Sequence, residues 1–301
     1  MASRLSAEQR AAFENDGSLI LRDLLTPDET AYLQQWAREV HDWPTDESSP
    51  WMPYEEINAH GEFERMPGPS SHGFRSASSA HTDRSQLHTG KRVLCRTENY
   101  AASHAGLNGL LRGHKLLGVL RELSGEDMVL FKEKINYKLS GSGGFAAHVD
   151  STAYTHVKKI KHLAILMAVD LSNMTNGGLE VVRGSHNMSV PIAADNCIEP
   201  SWIAQQEWTP VELEAGQVLI FGSYLAHRSA ANTSSQDRKA LYATYNRASE
   251  GDLHDQYYER RKVEYPPSHL RKPGQKFEAG ALRYGYGSPM ISVDLGHQLA
   301  V

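Results

Sequence analysis

Apolar positions recur at helical spacing before about residue 125. Beyond it they alternate or form short unbroken runs. Ser6 and Gln9 make a capping-box pattern ahead of EQRAAFEND, and Asp16-Gly17 ends that helix. SLILR (18–22) reads as a strand. Thr26-Pro27-Asp28-Glu29 starts a second helix reaching about Val40, with Thr26 as N-cap and Pro27 in the first helical position. GLNGLLRGHKLLGVLREL (106–123) reads as one helix. In MVLFKEKINYKL (128–139), Phe131, Ile135, Tyr137 and Leu139 take one face of a strand and Lys132, Lys134, Asn136 and Lys138 the other. HLAILMAVDL (162–171) is a nearly all-apolar strand. NGGLEVVRGSH (176–186) opens on a hairpin signal, Asn176-Gly177, before a β-branched strand. EAGQVLIFGSYLAHRS (214–229) and KALYATYNRAS (239–249) supply further strands.

Helices first, then short strands broken by Gly-rich turns, predict an α+β fold: a helical layer (about 5–125) on a β-sandwich or jelly roll (about 127–250). The basic, Pro-broken tail (251–301) is expected to wrap the surface, so that 1–301 forms a single domain. Residues 41–95 carry no clear period, and MPGPSSHGFRSASSAH (66–81) reads as a loop placed to act as a lid.

With 40% hydrophobic and 22% charged residues, the composition is that of an ordinary globular chain. A net charge of −5 with no basic patch argues against nucleic-acid or anionic-membrane partners. No apolar run approaches the roughly 18–20 residues that cross a bilayer, and MASRLSAEQR lacks a secretory apolar core. Cys95 and Cys197 are too few for a disulfide framework, so the expected setting is the reducing cytosol. The expected unit is a monomer or homodimer acting on a small molecule.

His-x-Asp occurs twice, so the tripeptide alone decides nothing. His81-Thr82-Asp83 lies in the Ser-rich loop, whereas His148-Val149-Asp150 lies between two strands, where a sheet holds ligands firmly. His227 follows another strand. Two imidazoles and a carboxylate on one face of an octahedron leave positions for a 2-oxoacid and O₂, as in non-haem Fe(II) oxygenases. The far carboxylate of a 2-oxoacid then calls for a planar cation, and Arg238 lies across the turn ANTSSQD from His227. Ser229 shares the strand face of His227 and can donate a hydroxyl hydrogen bond.

HVD (148–150), NGGLEVVRGSH (176–186) and HRSAANTSSQDRKA (227–240) together resemble the phytanoyl-CoA dioxygenase family of Fe(II)/2-oxoglutarate oxygenases, over about residues 5–250. Arg183 departs from the family's usual Pro before Gly-Ser-His, and His186 there reads as a turn residue rather than a ligand. The resemblance implies a double-stranded β-helix (jelly roll, cupin-like) with flanking N-terminal helices and iron at its open end. It implies His148, Asp150 and His227 as iron ligands, and Arg238 and Ser229 as 2-oxoglutarate contacts. Arg96 in LCRTENY falls where the family has a cosubstrate-binding Lys, and Asn136 is grouped with the same contacts. Fe(II), 2-oxoglutarate and O₂ are the implied reagents, with ascorbate as reductant in vitro.

RTENY and FKEKINYKL are similar to bacterial aminophosphonate hydroxylases and fungal aziridine-forming amino-acid oxygenases of secondary metabolism. The implied substrate is a small amine-bearing acid, hydroxylated or oxidatively cyclised. Lys134, Lys138, Arg96 or Arg247 would meet its acid group, and Glu98, Glu133 or Tyr154 its amine. Alternatives at this stage are a larger natural product as substrate, a Zn- or Mn-dependent cupin-like hydrolase or isomerase, and a silent binding protein.

Overall fold

Ser6 and Gln9 bond reciprocally, each side chain to the other's backbone N–H, and open α1 (Ala7–Asp16). Thr26 and Glu29 do the same for α2 (Pro27–His41). A computed structural model describes residues 5–57, 92–153, 161–272 and 274–284. The 60–90 segment, including His81, Asp83 and the expected lid, lies outside the described residues, as does Tyr154.

The stretch expected as one helix is two, α3 (Ala105–Leu111) and α4 (His114–Ser124). The chain turns at Gly113, the N-cap of α4, where a Cβ would stand 2.5 Å from the Gly109 carbonyl oxygen. No side chain fits that approach, so the apolar period continues across a break that only the glycine marks.

Strand β1 (Ser18–Leu21) is followed after α2 by β2 (Met52–Ile57) and β3 (Arg92–Glu98). After α4 come β4 (Met128–Lys138), β5 (Phe145–His148), β6 (His162–Ala168) and β7 (Leu179–Val181). β8 (Thr209–Val211), β9 (Val218–Gly222), β10 (His227–Ser229) and β11 (Arg238–Arg247) complete the set. They form two antiparallel sheets, in orders β1-β9-β6-β11-β4-β3-β2 and β5-β10-β7-β8. This is the expected jelly roll with helices on its larger sheet.

Two apolar layers hold it together. Ile165 and Met167 of β6 join Leu33, Leu107, Leu111 and Leu120 in the layer between the large sheet and the helices. Ala164, Leu166 and Ala168 face the other way, meeting Leu179 and Val181 of the small sheet. β6 is covered on both faces, which is why it reads as an unbroken apolar run rather than an alternation.

Four expectations change. β2 and β3 arise where no period was visible. Asn176-Gly177 makes no hairpin, because the chain leaves β6 in the large sheet and enters β7 in the small one. A β-bulge between Thr244 and Tyr245 skips Phe131 in the β4–β11 register. Phe131 therefore leaves the face of Ile135 and Tyr137 and packs with Tyr257 and Tyr258 instead. A short helix, α5 (Pro200–Ile203), precedes β8. Finally, the tail carries two helices of its own, α6 (His254–Glu264) and α7 (Glu278–Tyr284), joined to the sheet through Met52, Tyr54 and Phe131. Among the described residues no helix is long and apolar enough to cross a membrane.

Candidate metal centre and its two cavities

β5 and β10 pair with His148 directly opposite His227. Cross-strand partners on one face have Cβ atoms about 5 Å apart, and here the imidazole centroids are 4.2 Å apart. Each ring is held by its own strand: Nδ1 of His148 lies 2.7 Å from Ala146 O, and Nδ1 of His227 lies 2.9 Å from Leu225 O. A carbonyl only accepts, so Nδ1 carries the proton and donates, leaving both Nε2 atoms as lone-pair donors. Asp150 begins the turn after β5 and puts Oδ1 3.8 Å from each Nε2. Ligand atoms from all three residues lie within 4.8 Å of one another. Adjacent ligands of one octahedral ion sit about 3 Å apart, so the set has the span of a metal centre.

Burial, with His227 beside it, pushes the His148 imidazole down to about 3. Burial raises the Asp150 carboxyl, but His227, His148, Lys132 and Lys134 outweigh it and hold the group below its usual value. Neutral imidazoles and an ionised carboxylate are the protonation states that a metal requires.

Two cavities meet at this centre. The first, about 520 Å³ and partly open to solvent, lies between the sheets; Asn136, Phe145, Leu179, Phe221 and Tyr242 line it. Ser229, opposite Phe145, accepts from Phe145 N at 3.1 Å and from Lys138 Nζ at 3.0 Å. With both lone pairs engaged, its hydroxyl proton is directed elsewhere. Arg238 donates to Asn176 O at 3.1 Å and Gly177 O at 2.8 Å and lies against the Tyr242 hydroxyl. Asn136 is buried, and its Oδ1 has no hydrogen-bond partner among the described residues. Tyr242 was missed by sequence reasoning, although it stands four residues past Arg238 on the same strand face.

The second cavity, about 420 Å³, lies toward the C-terminal helices and includes Arg96, Glu98, Lys132, Lys134, Tyr257 and Arg261. Arg96, expected beside 2-oxoglutarate, lines this cavity, one strand beyond β4. Arg261 and Tyr257 were not anticipated, since nothing in a tail sequence says which helix face returns to the site. Burial pushes the Lys132 ammonium down to about 8, against the pull of Glu98. Burial, with Lys132 and Arg96 nearby, holds Lys134 well below its ordinary value.

Other expected substrate contacts are corrected. Lys138 is buried and donates to Gly177 O at 3.1 Å, to Ser229 Oγ and to Ala230 O, and it lines neither cavity. Arg247 stands at the far end of β11, bonded to Ser124 O at 3.2 Å and paired with Glu126. Nine residues of strand separate it from Arg238, about 30 Å at 3.3 Å per residue. Glu98 is gripped by Arg96 and Arg261 and is not open to an amine. Glu133 faces away from the cavities, accepting from Ala101 N and meeting His254 Nε2 at 2.9 Å. His186 is a turn residue as expected, its Nε2 3.1 Å from Glu14 O.

A family profile described as phytanoyl-CoA dioxygenase matches residues 13–240. A 2-aminoethylphosphonate dioxygenase from an uncultured bacterium is 32% identical over 291 residues, covering 96% of this chain and 99% of its own. A methylphosphonate hydroxylase from Gimesia maris is 33% identical, covering 86% of this chain and 87% of its own. Among solved structures, EctD from S. alaskensis with 2-oxoglutarate and 5-hydroxyectoine superposes with a TM-score of 0.63 at 21% identity, covering 82% of this chain and 78% of that one, which bears on the fold.

Proposed function

Because the chain belongs to the phytanoyl-CoA dioxygenase family of Fe(II)/2-oxoglutarate-dependent oxygenases, we propose that His148, Asp150 and His227 hold the iron and that residues 1–301 act as one domain hydroxylating a small amine-bearing acid, an amino acid or aminophosphonate. One observation carries the reading: two imidazole nitrogens and one carboxylate oxygen converge from a paired strand edge onto a point where two cavities meet. The donor set suits iron, since two neutral imidazoles and a carboxylate leave positions for other ligands, whereas a closed set of four would not. Bound there with 2-oxoglutarate and O₂, iron supplies the oxidant that attacks the substrate C–H bond.

The chain's own residues do the rest. Arg238 offers its planar fork to the far carboxylate of 2-oxoglutarate, Ser229 its hydroxyl proton, and Asn136 its amide. Phe145, Leu179 and Phe221 line the same space with apolar surface that keeps water from it. Arg96, Lys132 and Lys134 face the cavity left for substrate. The phosphonate-directed names of two relatives support a small acid as substrate. We place the enzyme in the cytosol as a monomer or homodimer.

The test is succinate release with Fe(II), ascorbate and 2-oxoglutarate, with and without amino acids and aminophosphonates. The proposal expects succinate matched by a product carrying one added oxygen atom. Product formed without 2-oxoglutarate would instead support a cupin-like hydrolase or isomerase.

A further inference from the structure

The cavity toward the C-terminal helices holds more positive charge than its own carboxylates balance. Arg96 is fully buried, and among the described residues none of its three guanidinium nitrogens makes a hydrogen bond. Its Nε stands 2.9 Å from Glu98 Oε1 in an ion pair. Glu98 is shared: Arg261 NH2 donates to Oε1 at 3.1 Å, and Arg261 Nε lies 2.9 Å from Oε2. Arg261 also donates to Tyr54 Oη at 3.0 Å and Tyr257 Oη at 3.4 Å, so its own donors are largely engaged. The other guanidinium at this wall, Arg283, is paired with Glu264. Lys134 projects from β4 beside Glu98's strand partner position and over the Tyr242 ring, 5.2 Å from its centroid.

With Asp150 given to the metal under the reading above, on which this inference rests, Arg96, Arg261, Lys132 and Lys134 face Glu98 alone among the described residues. Cationic side chains outnumber that carboxylate by three in a buried cleft. Uncompensated buried charge is costly, and a matching anion relieves it. A carboxylate would cancel one charge and offer two oxygens. A phosphonate dianion cancels two and offers three oxygens, enough for the unbonded edge of Arg96 and the Lys134 ammonium together.

We propose that this cleft is a built subsite for the doubly charged acid group of the substrate, a phosphonate rather than a carboxylate, with Arg96 and Lys134 touching its oxygens. Arg261 is a positioning residue: it ties down Glu98, which in turn fixes Arg96. Arg261 lies beyond the residues that the family profile matches, so the C-terminal helix α6 contributes to holding a subsite whose contacts come from β3 and β4.

The test is calorimetric titration of the full chain with 2-aminoethylphosphonate and with β-alanine, its carboxylate counterpart. It is run anaerobically, with and without Fe(II) and 2-oxoglutarate, where the phosphonate is doubly ionised. The phosphonate should bind at least about tenfold more tightly. Lys134→Met and Arg96→Met should each remove most of that preference while leaving β-alanine less affected. Arg96 is buried, so its variant is first checked by thermal melting; Lys134→Met keeps the apolar stem and carries the test if Arg96→Met does not fold. Equal binding of the two acids, binding of neither, or a preference unchanged in Lys134→Met would overturn the proposal. Phosphonate binding without succinate formation would sink the oxygenase reading and leave the subsite standing. Succinate coupled to hydroxylation of a carboxylate substrate, with no phosphonate preference, would do the reverse.

Discussion

Removing the imidazole at 148 or 227 takes away one of two nitrogen donors and leaves no neighbouring group to replace it. His148→Ala and His227→Ala should each lose bound iron, whereas His81→Ala, in the other His-x-Asp pair, should retain it; iron content after gel filtration distinguishes them. Arg238→Ala should raise the 2-oxoglutarate requirement by roughly 30- to 150-fold, the loss of about 2–3 kcal/mol from a charge-assisted bidentate contact. An unchanged requirement would mean that another cation holds that carboxylate. Arg247→Ala should leave turnover intact and alter stability by no more than about 1 kcal/mol, since its ion pair with Glu126 is about one-third exposed. At this scale the convergence of His148, Asp150 and His227 was legible because strand ends place His-x-Asp side chains on one edge. The role of Arg247 was not, because a strand's length separates residues that composition treats alike. Glu133 was legible in principle: it alternates with Lys132 and Lys134 and so belongs to the opposite face.

Elements announced by capping residues were readable to within a residue or two, and those announced by neither caps nor alternation were not. α1 and α2 are of the first kind; β2, β3 and the break at Gly113 are of the second. The bulge in β4 is the instructive case, since a single skipped residue moved Phe131 to the tail's side without changing the alternation seen in sequence. That side is where α6 docks, and its anchor is His254 against Glu133. Burial pushes the His254 imidazole down, but Glu133 and then Asp255 outweigh it and raise it above its ordinary value. A raised folded-state value adds stability that is fully present below the unfolded value of about 6.5. That stability disappears as pH rises through the folded value. His254→Ala should therefore lower the melting temperature most in mildly acid solution, by the equivalent of about 3 kcal/mol, and less as pH rises. A gap that is flat with pH would show that the pair is not ionic.

Over the whole molecule, the two sheets do different work. The small sheet supplies both histidines from β5 and β10, and the large sheet supplies the charged side chains of β3 and β4 and Tyr242 of β11 that line the cavities beside them. Jelly-roll and helical layer were legible because each has its own hydrophobic period. The tail was expected only to wrap the surface, because Pro-broken, basic sequence hides which residues turn inward; in the structure it closes one wall of the second cavity. The central claim is that His148, Asp150 and His227 hold iron in a form that also takes 2-oxoglutarate. A 2-oxoacid chelating Fe(II) produces a visible charge-transfer absorption, so the most direct measurement is anaerobic titration of the Fe(II)-loaded protein with 2-oxoglutarate. The account predicts a saturable band in the native chain and in His81→Ala, a band requiring far more 2-oxoglutarate in Arg238→Ala, and none in His148→Ala or His227→Ala. A native chain that binds iron but develops no band, or a band that survives loss of either histidine, would contradict it.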